Sequence, residues 1–207
     1  MPIRGRTPGA CFKTFRDHVA GLVSTVLGPT YHVTMSKRQA DEGVRDLLLG
    51  PYSSDYVSLE TRGPEPVYFY LAQHLVALPG PDGFQLKTQE YWYKIFDVQP
   101  DLEHEPLFRW EYTSEVPDGK SWCRHHFQVG RVVNDGGKRK AVELSLGTRT
   151  VDLNRLHTPT GFVLMEYVFR FLFTELDVIP ATEDWERVLA ESESAFFNDF
   201  SSKTSTP

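Results

Sequence analysis

Four residues in the middle of the chain have types and spacings suited to cleaving a phosphodiester bond. Glu111 and His126 can exchange protons with a substrate, while Arg109 and Arg124 can hold a phosphate and stabilise its developing charge. Alternation along a strand puts Arg109 on the same face as Glu111, and Arg124 on the same face as His126. If the two strands pair, all four side chains share one polar sheet surface.

Such a surface could cleave RNA without a metal ion. The neighbouring 2′-hydroxyl would be the nucleophile, with Glu111 as candidate base and His126 as candidate acid. Tyr91 or Tyr93, on the adjoining strand, could position a base by stacking. His157 precedes a predicted helix N-terminus, where backbone N–H groups and the helix dipole favour an anion, so it is a candidate phosphate-binding residue.

A second interpretation of these residues involves no chemistry. The polar face of an antiparallel sheet can simply be solvated, with Arg109, Glu111 and Arg124 forming cross-strand ion pairs. His157 could equally order the loop before Pro159. Both interpretations stay open on sequence alone.

The motifs that would indicate other chemistries are missing from the sequence. It contains no P-loop, GxGxxG, GxSxG, HExxH or EF-hand pattern. Cys11 and Cys123 lie far apart and have no metal-binding spacing, so we expect neither a disulfide framework nor a zinc site. We therefore expect no cofactor and no metal site.

The sequence also bears on cellular location. No apolar run reaches the roughly 18 residues needed to span a bilayer, and the N-terminus does not resemble a signal peptide. We expect a cytoplasmic protein that does not insert into a membrane. The formal net charge of −6 argues against non-specific nucleic-acid binding, but residues 161–207 carry 9 acidic and 3 basic side chains. The rest of the chain is therefore close to neutral, which leaves room for a local basic patch.

From Pro66 onward, aromatic and β-branched runs separated by turn residues predict a strand meander. Pro79–Gly83 and Asn134–Gly137 are hairpin signals because their residues tolerate the backbone of tight turns. Sequential strands joined in this way are antiparallel. The five predicted strands are Val67 to Ala77, Phe84 to Val98, Leu107 to Thr113, Trp122 to Val132, and Lys138 to Leu146.

Residues 1–65 are predicted to form an N-terminal helical part. A first helix begins at Thr7, with Pro8 in its first turn, and ends at Gly28. A capping box of Ser36 and Gln39 predicts a second helix that ends at Leu49. Residues 51–65 are interpreted as a connection to the sheet.

Residues 66–200 are predicted to contain the sheet and two further helices. The helix at 162–177 is apolar apart from a narrow stripe made by Glu166, Arg170, Thr174 and Asp177. It either packs across the sheet or docks a second chain. An acidic helix follows at Trp185 to Phe197, and residues 201–207 are expected to be disordered. The predicted fold is therefore α+β: a five-stranded antiparallel meander packed by helices from the N- and C-terminal segments, forming one structural unit.

The order of these segments resembles the small bacterial TumE-type toxin proteins and related uncharacterised bacterial families. The resemblance covers roughly residues 84 to 178. It is carried by the following segments: Tyr91-Trp92-Tyr93, Phe108-Arg109-Trp110-Glu111, Arg124-His125-His126-Phe127, and Leu156-His157-Thr158-Pro159-Thr160 before an apolar helix. It implies a toxin- or defence-associated role directed at RNA.

Two functions of different classes follow as hypotheses. The first is an RNA-acting enzyme, a metal-independent ribonuclease that uses Glu111, His126, Arg109 and Arg124. The second is a non-enzymatic binding module that docks a protein partner, an antitoxin or a second copy of the chain, through its aromatic sheet or the helix at 162–177. The second hypothesis predicts an exposed apolar patch of more than a few hundred Å².

Overall fold

A computed structural model describes most of the 207-residue chain. The described residues are 3–37, 43–50, 56–100, 105–115, 124–130, 132–133, 139–140, 143–146, 149–152 and 158–197. They form an α+β fold in which helices pack on one face of an antiparallel sheet. The predicted fold class is confirmed.

Three helices are described: α1 (Pro8–Val26), α2 (Met165–Glu175) and α3 (Trp185–Phe197). α1 begins as predicted, because the Thr7 hydroxyl accepts a hydrogen bond from the Ala10 N–H at 3.2 Å. It stops before Gly28, whose φ of 115° is a backbone conformation that favours glycine. Among all the residues that the structure describes, no helix is both long and apolar enough to cross a membrane.

The strands in chain order are β1 (Arg4–Gly5), β2 (Val33–Lys37), β3 (Val44–Leu49), β4 (Val57–Leu59), β5 (Val67–Gly80), β6 (Gly83–Phe96), β7 (Phe108–Thr113), β8 (His125–Val129), β9 (Val132–Val133), β10 (Arg139–Lys140), β11 (Glu143–Leu146), β12 (Arg149–Asp152) and β13 (Thr158–Pro159). The main sheet has the order β13-β8-β7-β6-β5-β3-β2, and β1 and β4 pair with β6 and β5 respectively. Every pair in it is antiparallel.

The sheet is larger than the predicted five strands, since nine strands of the described chain belong to it. The predicted strands from Val67, Phe84, Leu107 and Trp122 correspond to β5, β6, β7 and β8. The fifth, Lys138 to Leu146, is wrong as a member of this sheet. Its described residues form β10 and β11, which pair with β9 and β12 in two separate two-stranded sheets.

The predicted second helix in the N-terminal part is also wrong. Residues Val33–Lys37 and Val44–Leu49 are β2 and β3, and β3 pairs with β5 over Val44 to Leu48. Leu47 and Leu49 are buried and alternate with less buried residues, as expected for a strand that packs one face on a core. Pairing with a long central strand outweighs the local capping signal of Ser36 and Gln39. Residue 39 itself lies outside the described part of the chain.

A long hairpin of β5 and β6 forms the centre of the sheet. Each strand has 14 residues, and they are joined at the predicted turn, where Gly80 pairs with Gly83. Gly83 has φ of 119°, and a Cβ there would lie 2.6 Å from the carbonyl oxygen of Gly5 in β1. The turn therefore requires glycine for two reasons: its backbone conformation and the close approach of the N-terminal strand.

The three helices cover one face of the sheet and bury a single hydrophobic core with it. In that core Phe169 of α2 lies edge-on to Phe69 of β5, with ring centroids 6.0 Å apart. Phe171 lies 5.2 Å from the rings of both Phe108 and Trp110 on β7. Packing across the sheet was the first of the two roles predicted for the helix at 162–177, and α2 has it.

The polar stripe predicted for that helix does not face solvent throughout. Glu166 is 1% exposed, and Ser192 of α3 donates a hydrogen bond to it at 2.5 Å. The same hydroxyl lies 3.0 Å from Nε2 of His18 in α1, so one serine connects all three helices. Arg170 pairs with Glu193 of α3 at 2.9 Å. Much of the polar stripe therefore joins helices instead of marking a free surface.

Candidate functional site

The candidate site lies on the sheet face opposite the helices, which we call the outer face. By alternation and register this face carries the side chains of Tyr70, Ala72 and His74 on β5, Glu90, Trp92 and Lys94 on β6, Arg109 and Glu111 on β7, and His126 and Gln128 on β8. The predicted pairing of β7 with β8 is observed. Glu111 stands opposite His126, and Arg109 stands opposite Gln128.

Glu111 and His126 form a carboxylate–imidazole pair. Oε2 of Glu111 lies 3.2 Å from Nε2 of His126, and the two side chains are 21% and 10% exposed. The other ring nitrogen, Nδ1 of His126, is buried. Because Nδ1 is buried and Nε2 contacts the more exposed Glu111, the group that a substrate can reach first is the carboxylate.

Arg109 completes the group from β7, two residues before Glu111 on the same face of the strand. Its Nε donates to the Gln128 amide oxygen at 2.7 Å, and a terminal nitrogen donates to the same oxygen. The other terminal nitrogen lies 4.0 Å from Oε1 of Glu111. The guanidinium is thus held in place by Gln128 while it faces the carboxylate, and 32% of the side chain remains exposed.

Burial on this surface differs from that of a plain solvated polar face. His126 and Gln128 are only 8% and 5% exposed. Buried polar side chains need partners, and these two have them in Glu111 and Arg109. The pair and its guanidinium therefore form a partly sheltered polar cluster with Arg109 and Glu111 at its open side.

Arg124 does not join this cluster. It precedes β8, is exposed, and its carbonyl accepts a hydrogen bond from the Thr113 N–H at 3.1 Å. Burial and, secondly, the charge of Arg124 lower the pKa of the adjacent His125. His125 itself lies on the helix-facing side, stacked on Tyr112 with ring centroids 4.3 Å apart. Of the four predicted catalytic residues, the structure brings together Arg109, Glu111 and His126.

Tyr91 and Tyr93 lie on the opposite, helix-facing side of β6. Both are 0% exposed, and their rings stack on each other at 4.6 Å. The Tyr91 hydroxyl accepts from the Val163 N–H at 3.0 Å, and burial raises the pKa of Tyr91 to about 12. The expectation that one of them stacks on a base beside Glu111 is therefore corrected, because strand alternation buries both rings in the core.

Trp92 is the aromatic residue that does lie beside Glu111. The two are directly opposite each other on β6 and β7, and Trp92 is partly exposed. The sequence carried part of the signal: in Tyr91-Trp92-Tyr93-Lys94, alternation puts Trp92 on the same face as the charged Lys94 and the two tyrosines on the other face. Gln128, which holds Arg109, was likewise on the predicted polar face but was not assigned a role.

A second carboxylate–imidazole pair lies elsewhere on the outer face. Nδ1 of His74 is 2.7 Å from Oδ1 of Asp46, and the His74 side chain is 8% exposed. Within the described residues, no group of three or more His, Cys, Asp and Glu side chains is arranged to hold a metal ion. His157, the predicted phosphate-binding residue, lies outside the described residues.

Comparison of the chain with family models, with curated proteins and with solved structures finds no match in any of the three.

Proposed function

We propose that the protein acts on RNA as a metal-independent ribonuclease with a toxin- or defence-associated role. The observation that carries this proposal is the position of Glu111, whose two oxygens face His126 on one side and Arg109 on the other. A carboxylate held between an imidazole and a guanidinium provides a base beside a phosphate-binding group. The resemblance to TumE-type proteins supports the same role.

The reaction we infer is transfer of the phosphodiester to the neighbouring 2′-hydroxyl. Glu111 takes the 2′-hydroxyl proton, and the 2′ oxygen attacks phosphorus. The bond from phosphorus to the 5′ oxygen breaks, and the leaving oxygen takes a proton from water. The hydroxide that remains takes the proton from Glu111, which restores the carboxylate. The products are a 2′,3′-cyclic phosphate and a free 5′-hydroxyl. Arg109 stabilises the charge that develops on the phosphate oxygens.

His126 has a different role from the acid that we expected from the sequence. His126 is poorly placed to protonate a leaving group, because its Nε2 contacts Glu111 and its Nδ1 is buried. We assign it as a positioning residue that fixes the Glu111 carboxylate by a hydrogen bond. Arg124 stands outside this constellation and is available only as an exposed charge just before the start of β8.

The experiment that tests the proposal uses the purified full chain and an end-labelled RNA. We expect cleavage that persists in excess chelator and gives 2′,3′-cyclic phosphate ends. Glu111→Gln should lose this cleavage while its circular dichroism is unchanged. Cleavage that requires an added divalent ion, or that survives Glu111→Gln, would contradict the proposal.

Cytoplasmic activity is part of the same proposal, because the cytoplasm is where the RNA substrate would be met. Cys11 is a free, buried thiol, which is compatible with a reducing compartment. Burial raises the pKa of the Cys11 thiol, so it stays protonated and unreactive.

A second candidate function has one observation in its favour. Phe162, just before α2, and Tyr167, in its first turn, are 38% and 42% exposed although most of that helix is buried. Exposed aromatic residues are enriched where proteins dock partners. The alternative is therefore a binding module that docks an antitoxin or a second copy of the chain at this end of α2. Sedimentation of the wild-type chain and of Tyr167→Glu tests the second copy: a dimer that dissociates in the variant supports it, and a monomeric wild type argues against it.

A further inference from the structure

Aromatic rings and cations lie in adjacent rows across the outer face. One row runs Tyr70, Lys94, Arg109, Gln128 from β5 to β8. The next row runs Ala72, Trp92, Glu111, His126. The proposed cleavage site thus lies on β7 and β8. The neighbouring positions of the two rows, on β5 and β6, hold Tyr70, Lys94 and Trp92, with the small Ala72 beside Trp92.

The four residues at the aromatic and basic positions are all partly exposed: Tyr70, Trp92, Lys94 and Arg109. Nζ of Lys94 lies 5.6 Å from the centre of the Tyr70 ring. A cation at that distance is attracted to the ring face and keeps its charge near the sheet surface. A positive charge therefore lies between a tyrosine on one side and Arg109 on the other.

Trp92 has small or short neighbours across the sheet in its own row. Ala72, opposite it on β5, carries only a methyl group, and Glu111 lies opposite it on β7. Tyr70 is its diagonal neighbour, at the roughly 7–8 Å typical of such positions, which is within reach of large aromatic side chains. Because Lys94 already lies over the ring of Tyr70, Trp92 is the ring of this pair that we assign to a base.

Rings interleaved with cations form the surface that binds single-stranded nucleic acid. Bases stack on the aromatic rings, and phosphates lie against lysine and arginine. A duplex offers its phosphates but keeps its base faces covered, so it cannot use the rings in this way. The neighbouring 2′-hydroxyl needed by Glu111 restricts the reactive strand to RNA.

We propose that the substrate of this site is single-stranded RNA, with a base stacked on Trp92 and phosphates held by Lys94 and Arg109. This assignment names the substrate class of the proposed ribonuclease and in that respect depends on the proposed function. Binding and cleavage are nevertheless separable, because stacking on Trp92 does not require the Glu111 carboxylate.

The test measures binding without cleavage. A fluorescent 2′-O-methyl RNA of about 12 nucleotides lacks the 2′-hydroxyl and cannot react. Its anisotropy is titrated with the wild-type chain, Trp92→Ala, Trp92→Phe, Lys94→Ala and Glu111→Gln. Tyr167→Ala, which removes an exposed ring on α2, is the matched control. The same oligonucleotide annealed to its complement is the duplex arm.

We expect the wild type to bind the single strand more tightly than the duplex. Trp92→Ala should weaken binding about tenfold or more, while Trp92→Phe retains most of the affinity because it keeps a ring. Lys94→Ala should reduce the salt dependence of binding by about one phosphate contact. Tyr167→Ala should bind like the wild type. Glu111→Gln removes a negative charge that faces Arg109, so it should bind the single strand at least as tightly as the wild type.

Two results separate this inference from the proposed function. If the wild type cleaves RNA but Trp92→Ala binds the single strand normally, or if the duplex binds better, the substrate assignment is overturned and the ribonuclease stands. If the single strand binds through Trp92 but RNA stays intact, the assignment of the surface stands and the ribonuclease fails. A wild type that binds no single strand overturns the inference outright.

Discussion

Glu111 and His126 stand directly opposite each other on β7 and β8, and their side chains meet 3.2 Å apart on the outer face. This contact depends on strand register. A slip of one residue would turn one of the two side chains into the hydrophobic core. The same register places Phe127 against Trp110 on the helix-facing side, with ring centroids 4.9 Å apart. The register that packs Phe127 against Trp110 in the core is therefore the same one that brings Glu111 and His126 together.

Glu111→Gln tests the base. We expect a loss of about 10²–10⁴-fold in the cleavage rate, the usual contribution of a positioned proton-transfer group. Glutamine keeps the size and hydrogen-bonding capacity of the side chain, so thermal unfolding should change little. The readout is total cellular RNA after induction, together with the rate on a labelled RNA. Glu115→Gln is the control, because Glu115 is exposed just beyond β7; an equal loss in both variants would count against the assignment.

His126→Ala and His126→Gln together test positioning. Alanine removes the hydrogen bond to Glu111 and leaves a buried space, so both the cleavage rate and the stability should fall. Glutamine can donate from its amide to the carboxylate, so it should recover part of the rate. The prediction is that kcat falls in the alanine variant while KM stays near the wild-type value. If the cleavage rate falls only in proportion to the loss of stability, and His126→Gln recovers none of it, then His126 has a purely structural role.

Arg109→Lys tests the guanidinium. Lysine keeps the charge but cannot make the paired contact to Gln128 while it faces Glu111. We expect kcat/KM to fall by about 10²-fold, comparable with removal of one group that stabilises a developing oxyanion. Steady-state kinetics on a short RNA give the value. Arg187→Lys, on the exposed surface of α3, should be neutral.

Glu166→Gln tests the buried carboxyl that joins the helices. Burial, and to a lesser degree the charge of Glu193, raise the pKa of Glu166 above its ordinary value, against the hydrogen bond from Ser192. The folded state therefore holds this proton more tightly than the unfolded state. The stability that this bound proton contributes is fully present below the ordinary pKa of glutamate. It is lost as pH rises through the raised pKa of Glu166. Glutamine has no proton to lose at this position, so the variant should gain stability relative to the wild type as pH rises.

Urea unfolding of the wild type and Glu166→Gln between acidic and slightly alkaline pH measures this difference. Burial lowers the pKa of the nearby His18, which gives the opposite trend: stability is lost as pH falls through the ordinary pKa of histidine. His18 is present in both proteins, so subtraction removes most of its effect. Glu175→Gln, an exposed position at the end of α2, is the control. A difference that stays constant with pH would contradict the prediction.

Phe169→Ala tests whether α2 is part of the core. Phe169 is fully buried against Phe69, so its removal should lower the free energy of unfolding by about 3–5 kcal/mol. Tyr167→Ala, two residues earlier on the exposed side of the same helix, should cost no more than about 0.5 kcal/mol. Denaturant titrations compare the two. Similar losses in both would mean that Tyr167 is covered, as it would be by a second copy.

Strand alternation predicts most of the polar cluster. It places Arg109 and Glu111 on one face of β7 and His126 on one face of β8, because polar and aromatic residues alternate along both strands. The observed pairing puts these two faces together. Alternation also puts Trp92, and not its tyrosine neighbours, on the face of the charged Lys94, and the observed register then sets Trp92 opposite Glu111. The same alternation put Arg124 on this face, but β8 begins only at His125, so the rule did not apply to Arg124.

The N-terminal strands show the limit of local signals. Val33–Lys37 and Val44–Leu49 are short, and their strand conformation is set by pairing: β3 pairs with β5, where Val44 lies opposite Val76, and β2 pairs in turn with β3. A capping pattern is a local cue and carries no information about that pairing. The turn of the central hairpin was predictable because Pro79–Gly83 determines its own conformation.

The strand order of the sheet has a consequence for how the chain folds. Most neighbours in the sheet are also neighbours in sequence, beginning with two 14-residue strands joined by a two-residue turn. Closing so short a loop costs little chain entropy, and hairpins form in about 1–10 μs. We expect the β5–β6 hairpin to form first and the sheet to grow outward from it in both directions. On this view Trp92 is ordered early, whereas Glu111 and His126 come together only as the later strands β7 and β8 are added.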